Sequence, residues 1–177
     1  AATNARGVVA VLSPFLTVEE AFLYATAAKG LAADAKVVLG PVPVVGEDDT
    51  YPKDVRGNPV QPVKFTIRAE KCPNRKGLEA VLAAVAGGAA AFDPKAAAAA
   101  VLFVGGYPDR GHVESALLGW KPPSLLVVQD LFPTSLTAAA TYVLPATSSF
   151  EKDGTFVNHA GLAQTFPRAV RPPQEAR

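Results

Sequence analysis

Small and polar residues that could contact a ligand follow several short apolar runs of this sequence. Gly105 and Gly106 come directly after VLFV, Gln129 and Asp130 end the run SLLVVQD, and Ser13 follows GVVAVL. In an open parallel sheet, ligands bind outside the carboxyl ends of the strands. If these runs are strands of such a sheet, we expect the five residues to lie at one edge, where they could bind a nucleotide-like ligand.

The glycine pair and the aspartate each allow two interpretations. Glycine N–H groups can approach a phosphate closely, but GGYPDRG has neither the GxGxxG spacing nor the lysine of a P-loop. A tight turn after a strand uses glycine for its backbone freedom alone. The carboxylate of Asp130 could accept hydrogen bonds from a base or ribose, or it could cap the following turn.

The other reactive side chains do not form a catalytic group. Ser13 lacks the GxSxG context of an activated serine. Cys72 is the only cysteine, which excludes an internal disulfide and any metal or iron–sulfur site built mainly from cysteines of this chain. His112, in a polar loop, and His159 are expected to be solvated. We therefore predict no catalytic residue and no metal site in this segment.

The apolar pattern predicts strands that alternate with helices. Continuous apolar runs are typical of parallel strands covered on both faces, and their alternation with helices predicts a doubly wound, mostly parallel α/β fold. We expect an α/β nucleotide-binding-like domain over 1–145 and an extended segment over 146–177 that packs on that domain or on a neighbour. The predicted strands are 7–12, 36–40, 65–69, 101–106, 124–130 and 141–145, and the predicted helices are 17–30, 76–85, 113–118 and 134–140.

The start of the first helix has the most specific local signal. Thr17 and Glu20 have the spacing of a capping box, in which each side chain accepts a hydrogen bond from the backbone N–H of the other. Thr134 is a second candidate helix cap. The apolar stripe expected along the first helix consists of Val18, Ala21, Phe22, Ala25 and Ala28.

Two stretches have no periodic pattern. Residues 41–62 are rich in proline, glycine and aspartate, which predicts a long surface loop. Residues 83–101 are alanine-rich, but Gly87, Gly88 and Pro94 interrupt them, so we expect broken helix and loop.

Composition excludes several classes of partner. The chain has 177 residues, 49% hydrophobic and 19% charged, which is typical of a folded domain. Its net charge is +1 and its basic residues are dispersed, so we expect no nucleic-acid or membrane-surface binding. No apolar stretch approaches the roughly 20 residues that span a bilayer. The single cysteine favours a reduced, cytosolic-type compartment.

The C-terminal part resembles a known family. The stretch VVQDLFPTSLTAAATYVLPATSSFEKDGTFVNHAGLAQ is similar to the molybdopterin oxidoreductases of the formate dehydrogenase and nitrate reductase type, whose pattern is V-Q-D-x-F-x-T-E-T-A-x-x-A-D-V-V-L-P-A followed by E-K-x-G-T-F-x-N-x-E-G-R-x-Q. Upstream, LSPFLTVEEAFLYA and RAEKCPNRKGLEAVL look closest to the large G subunit of bacterial NADH:quinone oxidoreductase, respiratory complex I. The matching positions are Gln129, Asp130, Phe132, Thr134, Ala140, Val143, Leu144, Pro145, Ala146, Glu151, Lys152, Gly154, Thr155, Phe156, Asn158, Gly161 and Gln164.

The chain departs from the family pattern at charged positions. The family's T-E-T-A is TSLT at 134–137 here, its Asp before V-V-L-P is Thr141, and its E-G-R is AGL at 160–162. A buried polar group left without a partner costs about 1–3 kcal/mol, so a pocket that still held a polar cofactor would be expected to keep these groups. The resemblance therefore implies a structural domain with a vestigial cleft at Gly105, Gly106, Gln129, Asp130 and Thr134.

The resemblance also implies a setting for the domain. We expect no cofactor in this segment, iron–sulfur clusters elsewhere in a longer parent subunit, and no molybdopterin guanine dinucleotide. The expected partners are other domains of the same subunit and neighbouring peripheral-arm subunits, on the cytoplasmic side and peripheral to the inner membrane. The alternatives are a working molybdopterin-guanine-dinucleotide-binding domain of a molybdenum oxidoreductase such as formate dehydrogenase, and a nucleotide-binding module.

Overall fold

A computed structural model describes residues 7–173 of the chain. The elements of this part follow one another as β1 (Val8–Leu12), α1 (Val18–Leu31), β2 (Lys36–Leu39), β3 (Asp49–Tyr51), β4 (Phe65–Ile67), α2 (Arg75–Ala86), β5 (Ala100–Val104), α3 (Arg110–Ala116), β6 (Leu125–Asp130), α4 (Ser135–Ala139), β7 (Tyr142–Pro145), β8 (Gly154–Val157) and β9 (Ala163–Phe166). None of the helices within this range is long and apolar enough to cross a membrane.

The central sheet has five parallel strands in the order β2-β1-β5-β6-β7. Counted along the chain, the five strands are arranged 2-1-3-4-5, which is the order of flavodoxin-like doubly wound sheets. The chain winds outward in opposite directions from β1 and β5. The carboxyl ends of these two strands therefore form the topological switch point, where such sheets open a crevice for ligands.

Helices cover both faces of the central sheet, which confirms the predicted fold class. Helices α1 and α2 pack against each other and against β1 and β2. Successive strand residues point to opposite faces, and the opposite face carries a buried cluster in which Val11 of β1 and Phe103 of β5 join Val113 of α3 and Leu136 of α4.

Helix α1 begins at the predicted capping box. The Glu20 N–H donates to Thr17 Oγ1 at 3.1 Å, and the Thr17 N–H donates to Glu20 Oε2 at 2.8 Å. The predicted stripe is confirmed at its alanines, because Ala21, Ala25 and Ala28 are buried. It is wrong at Phe22, which is half exposed, because the face of α1 that meets the rest of the domain consists of these small side chains.

Residues Val42–Cys72 form a compact unit of their own. The loop predicted over 41–62 contains strand β3, and the strand predicted over 65–69 is β4, which pairs antiparallel with β3 instead of joining the parallel sheet. Stacked rings of Tyr51 and Phe65, with centroids 5.0 Å apart, hold the pair together. Strands of three residues are too short to leave a periodic signal in the sequence.

The C-terminal segment contains a hairpin that the sequence did not predict. Strands β8 and β9 pair antiparallel, and the rings of Phe156 and Phe166 lie 4.7 Å apart across them. The hairpin contacts the first turn of α1: Glu19 accepts hydrogen bonds from the N–H and hydroxyl of Thr155 at 3.0 and 2.7 Å. Nearby, the Lys152 ammonium lies 2.8 Å from the Glu20 carboxylate. The proposed division at residue 145 stays a prediction.

Asn74 connects three segments of the larger unit. Its side chain is fully buried, Nδ2 donates to the Leu16 carbonyl at 2.7 Å, and Oδ1 accepts from the Val157 N–H at 2.7 Å. Its own N–H donates to the Pro14 carbonyl at 3.1 Å. One residue before α2 thus satisfies backbone groups of the loop after β1 and of strand β8, all away from water.

Replacing Asn74 is expected to destabilise the fold. Asn74→Ala leaves the Leu16 carbonyl and the Val157 N–H unpaired in a buried site, so the free energy of unfolding should fall by about 3 kcal/mol. Urea denaturation measures the change. The matched control Asn58→Ala, at an exposed asparagine, should change it by less than about 0.5 kcal/mol. A similarly small effect of Asn74→Ala would contradict this role.

Candidate functional site

The carboxyl ends of β1, β5 and β6 bring the candidate residues to one edge of the sheet. Leu12 is in register with Val104, and Val104 with Gln129. The backbone continues this alignment past the strands, since the Ser13 N–H donates to the Val104 carbonyl at 3.0 Å and the Gly105 N–H to the Gln129 carbonyl at 2.7 Å. Ser13, the glycine pair, Gln129 and Asp130 are therefore neighbours.

The Asp130 carboxylate accounts for the glycine pair. Its Oδ1 accepts hydrogen bonds from the Gly106 N–H at 2.9 Å and the Leu131 N–H at 2.8 Å. A Cβ on Gly105 would lie 2.7 Å from the Asp130 Cγ, and Gly106 has a φ of +86°, which favours glycine. The Gly106 N–H, which a phosphate could have used, therefore already binds a protein carboxylate.

Burial sets the protonation behaviour of Asp130. The residue is 7% exposed. Burial raises the pKa of its carboxyl above the usual value of 3.8, while the backbone hydrogen bonds from Gly106 and Leu131 act in the opposite direction. The carboxylate therefore carries a desolvation cost that its two donors offset only in part.

Gln129 is also held by other parts of the protein. Its Oε1 accepts a hydrogen bond from the Tyr24 hydroxyl of α1. Its Nε2 donates to the Pro145 carbonyl at the end of β7, at 3.3 Å. Both polar atoms of the amide thus link neighbouring elements of the fold.

Thr134 and Ser13 make local backbone contacts. Thr134 is the N-cap of α4: its Oγ1 accepts from the Thr137 N–H at 3.3 Å, and the Thr137 hydroxyl accepts from the Thr134 N–H at 2.8 Å. The Oγ of buried Ser13 accepts from the Phe15 N–H at 3.1 Å. These bonds match the capping predicted for Thr134.

The remaining reactive residues lie apart from this edge or in turns. His112 is part of α3, because the helix begins three residues before its predicted start, and its Nε2 lies 3.8 Å from Asp109 Oδ2. His159 is exposed in the turn between β8 and β9. The Cys72 thiol lies 3.4 Å from Glu70 Oε1 in the smaller unit. The structure does not bring these three side chains into one group.

Tyr107 is the residue at the switch point that sequence reasoning missed. It follows the glycine pair, is 1% exposed, and its hydroxyl donates to the Pro41 carbonyl at 2.8 Å. The side chain therefore reaches from the end of β5 past β1 to the end of β2, where its oxygen lies against Gly40. Phe15, from the loop after β1, packs edge-on against it with ring centroids 5.4 Å apart. Two aromatic side chains thus occupy the space between the ends of β1 and β5.

An aromatic residue immediately after a glycine turn at a strand end was the available sequence signal for this arrangement. In GGYPDRG the glycines indicate a turn, and the tyrosine follows them directly. Which way the tyrosine points depends on the position of β2, and that position follows from the strand order and not from local sequence.

The fold is that of a doubly wound domain with a strand-end edge, and comparison with known proteins gives its family. Residues 74–177, more than half of the chain, match the model of the molybdopterin oxidoreductase family. The chain belongs to this family.

Curated relatives come from two branches of the family. A stretch of 69 residues is 49% identical to the F420-dependent formate dehydrogenase subunit alpha of Methanocaldococcus jannaschii and covers 39% of this chain and 10% of that protein. A stretch of 71 residues is 42% identical to the second G subunit of the NADH-quinone oxidoreductase of Rhizobium meliloti and covers 40% and 8%. The chain thus matches a tenth or less of the length of these relatives.

Asp130→Asn tests the cost of the buried carboxylate. Because the folded pKa is raised, the wild type loses stability as the pH rises from 3.8 through that pKa, whereas asparagine does not titrate. The variant keeps an oxygen that accepts from Gly106 and Leu131. Its free energy of unfolding relative to wild type should rise by about 1 kcal/mol between acidic and neutral pH.

The measurement is urea denaturation at several pH values, with the exposed Asp34→Asn as the control for loss of a negative charge. A wild type that gains stability relative to Asp130→Asn as the pH rises would show that the two backbone donors outweigh burial.

Proposed function

We propose that this chain is a structural domain of a large electron-transfer subunit, of the kind represented by the G subunit of NADH:quinone oxidoreductase, and that its strand-end cleft no longer binds a cofactor. The domain would hold cluster-bearing parts of the same subunit and neighbouring peripheral-arm subunits in place, on the cytoplasmic side and peripheral to the membrane. Electron transfer would take place outside this segment.

The observation that carries the proposal is the occupation of the switch point by Tyr107 and Phe15. A dinucleotide bound at this edge needs open space and free N–H donors for its phosphates. The two rings take the space, and the Asp130 carboxylate takes the Gly106 N–H. A buried carboxylate would also repel a phosphate. These residues do not fit the pterin dinucleotide that the family name implies, which supports a cleft that has become part of the core.

Exposed apolar side chains support a role in assembly. Edge strand β7 exposes Tyr142, Val143 and Leu144, and beyond it Phe150 and Leu162 are more than half exposed. Leu162 stands where the family pattern has an arginine. Extended apolar surface on a domain usually marks contact with another protein surface, as expected if other domains or subunits pack here.

A formate dehydrogenase subunit is the second candidate. The identity of 49% to the alpha subunit from Methanocaldococcus jannaschii favours it, since the matched stretch is nearly as long as the one shared with the G subunit from Rhizobium meliloti and more similar. In that case the pterin dinucleotide would bind in the parent protein, and Tyr107 would have to leave its position or lie outside the binding surface.

Tagging the encoding gene in the source organism and purifying the intact protein distinguishes the two. The proposal predicts iron, NADH dehydrogenase activity with ferricyanide as acceptor, and molybdenum well below one atom per polypeptide. The Tyr107→Phe variant should leave these properties unchanged, because it retains the ring. Stoichiometric molybdenum with formate-dependent dye reduction would overturn the structural proposal and establish the second candidate.

A further inference from the structure

A second concave site lies at the opposite ends of the strands. A cavity of about 400 Å³ opens on the face covered by α3 and α4, next to Val9, Val38 and Val101, which belong to β1, β2 and β5. Its volume is within the range of about 300–1,000 Å³ of small-molecule sites. It is separate from the switch point, because Val9 and Val101 are near the amino ends of their strands.

The alanine-rich loop forms the roof of this cavity. Residues 90–98 line it, and the loop is fixed at both ends. At one end the Phe92 N–H donates to the Leu39 carbonyl at 2.7 Å, and at the other the Ala99 N–H donates to the Gly7 carbonyl at 2.9 Å. Methyl side chains cannot reach the sheet from this loop, so the space between loop and strands stays open. This gives the alanine run a structural consequence.

An aromatic wall closes one side of the cavity. Trp120 and Phe92 meet edge-on, with ring centroids 5.4 Å apart, and both pack against the core cluster. Valines on the floor and these two rings make the interior apolar. Apolar walls with a few charged groups at the mouth are the usual composition of a site for a small organic ligand.

Positive charge surrounds the opening. Lys36, Lys95 and Lys121 line the cavity, and Asp93 is the single carboxylate among the lining residues. Asp93 Oδ1 accepts a hydrogen bond from the Lys95 backbone N–H at 2.9 Å. Within residues 7–173 none of the three lysines forms an ion pair, so their ammonium groups can neutralise an anionic group of a ligand.

We propose that this cavity binds a small apolar organic anion, of the class of a medium-chain or aromatic carboxylate. The apolar tail lies between the alanine loop and the valines of the sheet, against Trp120. The carboxylate lies at the mouth, near Lys36 and Lys121. The proposal concerns the opposite end of the strands from the cofactor cleft, so it holds whichever family branch the parent protein represents.

The only tryptophan of the chain, Trp120, reports binding directly. Decanoate, titrated into the 177-residue chain below its micellar concentration, should change the tryptophan emission with a saturable curve. Decan-1-ol should bind more weakly, and decyltrimethylammonium should give no saturable change. Equal responses to all three compounds, or no saturation with decanoate, would overturn the proposal.

Two kinds of variant locate the site. Lys36→Gln with Lys121→Gln should weaken decanoate binding about tenfold and leave decan-1-ol unchanged, while Lys29→Gln, near the end of α1, should have no effect. Ala97→Phe should fill the cavity and abolish the titration, whereas Ala83→Phe, exposed on α2, should preserve it. Thermal unfolding checks that each variant is folded. An unchanged titration in the folded Ala97→Phe variant, or in the lysine double variant, would place decanoate elsewhere and refute the assignment.

Discussion

The buried amide of Asn74 is the contact on which the arrangement of the larger unit depends. A buried backbone group without a partner costs about as much as a lost hydrogen bond, and this one side chain satisfies the Leu16 carbonyl and the Val157 N–H together. Gly77 makes the geometry possible, because a Cβ there would lie 2.2 Å from Asn74 Oδ1. The loop after β1, the start of α2 and strand β8 are thereby fixed to one another, although they are far apart in the sequence.

The strand-end edge follows the same principle of internal satisfaction. Polar residues that match the family pattern remain at Gln129, Asp130 and Thr134, but each now bonds to another part of the protein. The retained residues thus stabilise the contacts between α1, β5, β6 and α4. Retention of a motif and retention of its ligand are separate matters, because an aspartate that could bind a ribose serves equally well to hold a turn.

Local signals predicted the elements well and their partners less well. The capping box at Thr17 and Glu20 involves groups three residues apart, so its geometry is fixed within one helical turn. Strand β4 was recognised as a strand, but its partner β3 was not, and the pair forms an antiparallel sheet in the smaller unit. The role of Tyr107 could not be predicted locally, because its hydrogen bond to Pro41 spans 66 residues.

The sequence by itself determined the α/β class, the five central strands, the helix that begins at Thr17 and the resemblance to the family, because apolar period, caps and motif spacing are all local properties. Only the tertiary structure decided that Tyr107 occupies the switch point, that Asp130 holds the glycine turn, and that the alanine loop covers a cavity beside Trp120. These features depend on the strand order β2-β1-β5-β6-β7, which places side chains from distant segments together and which no local pattern encodes.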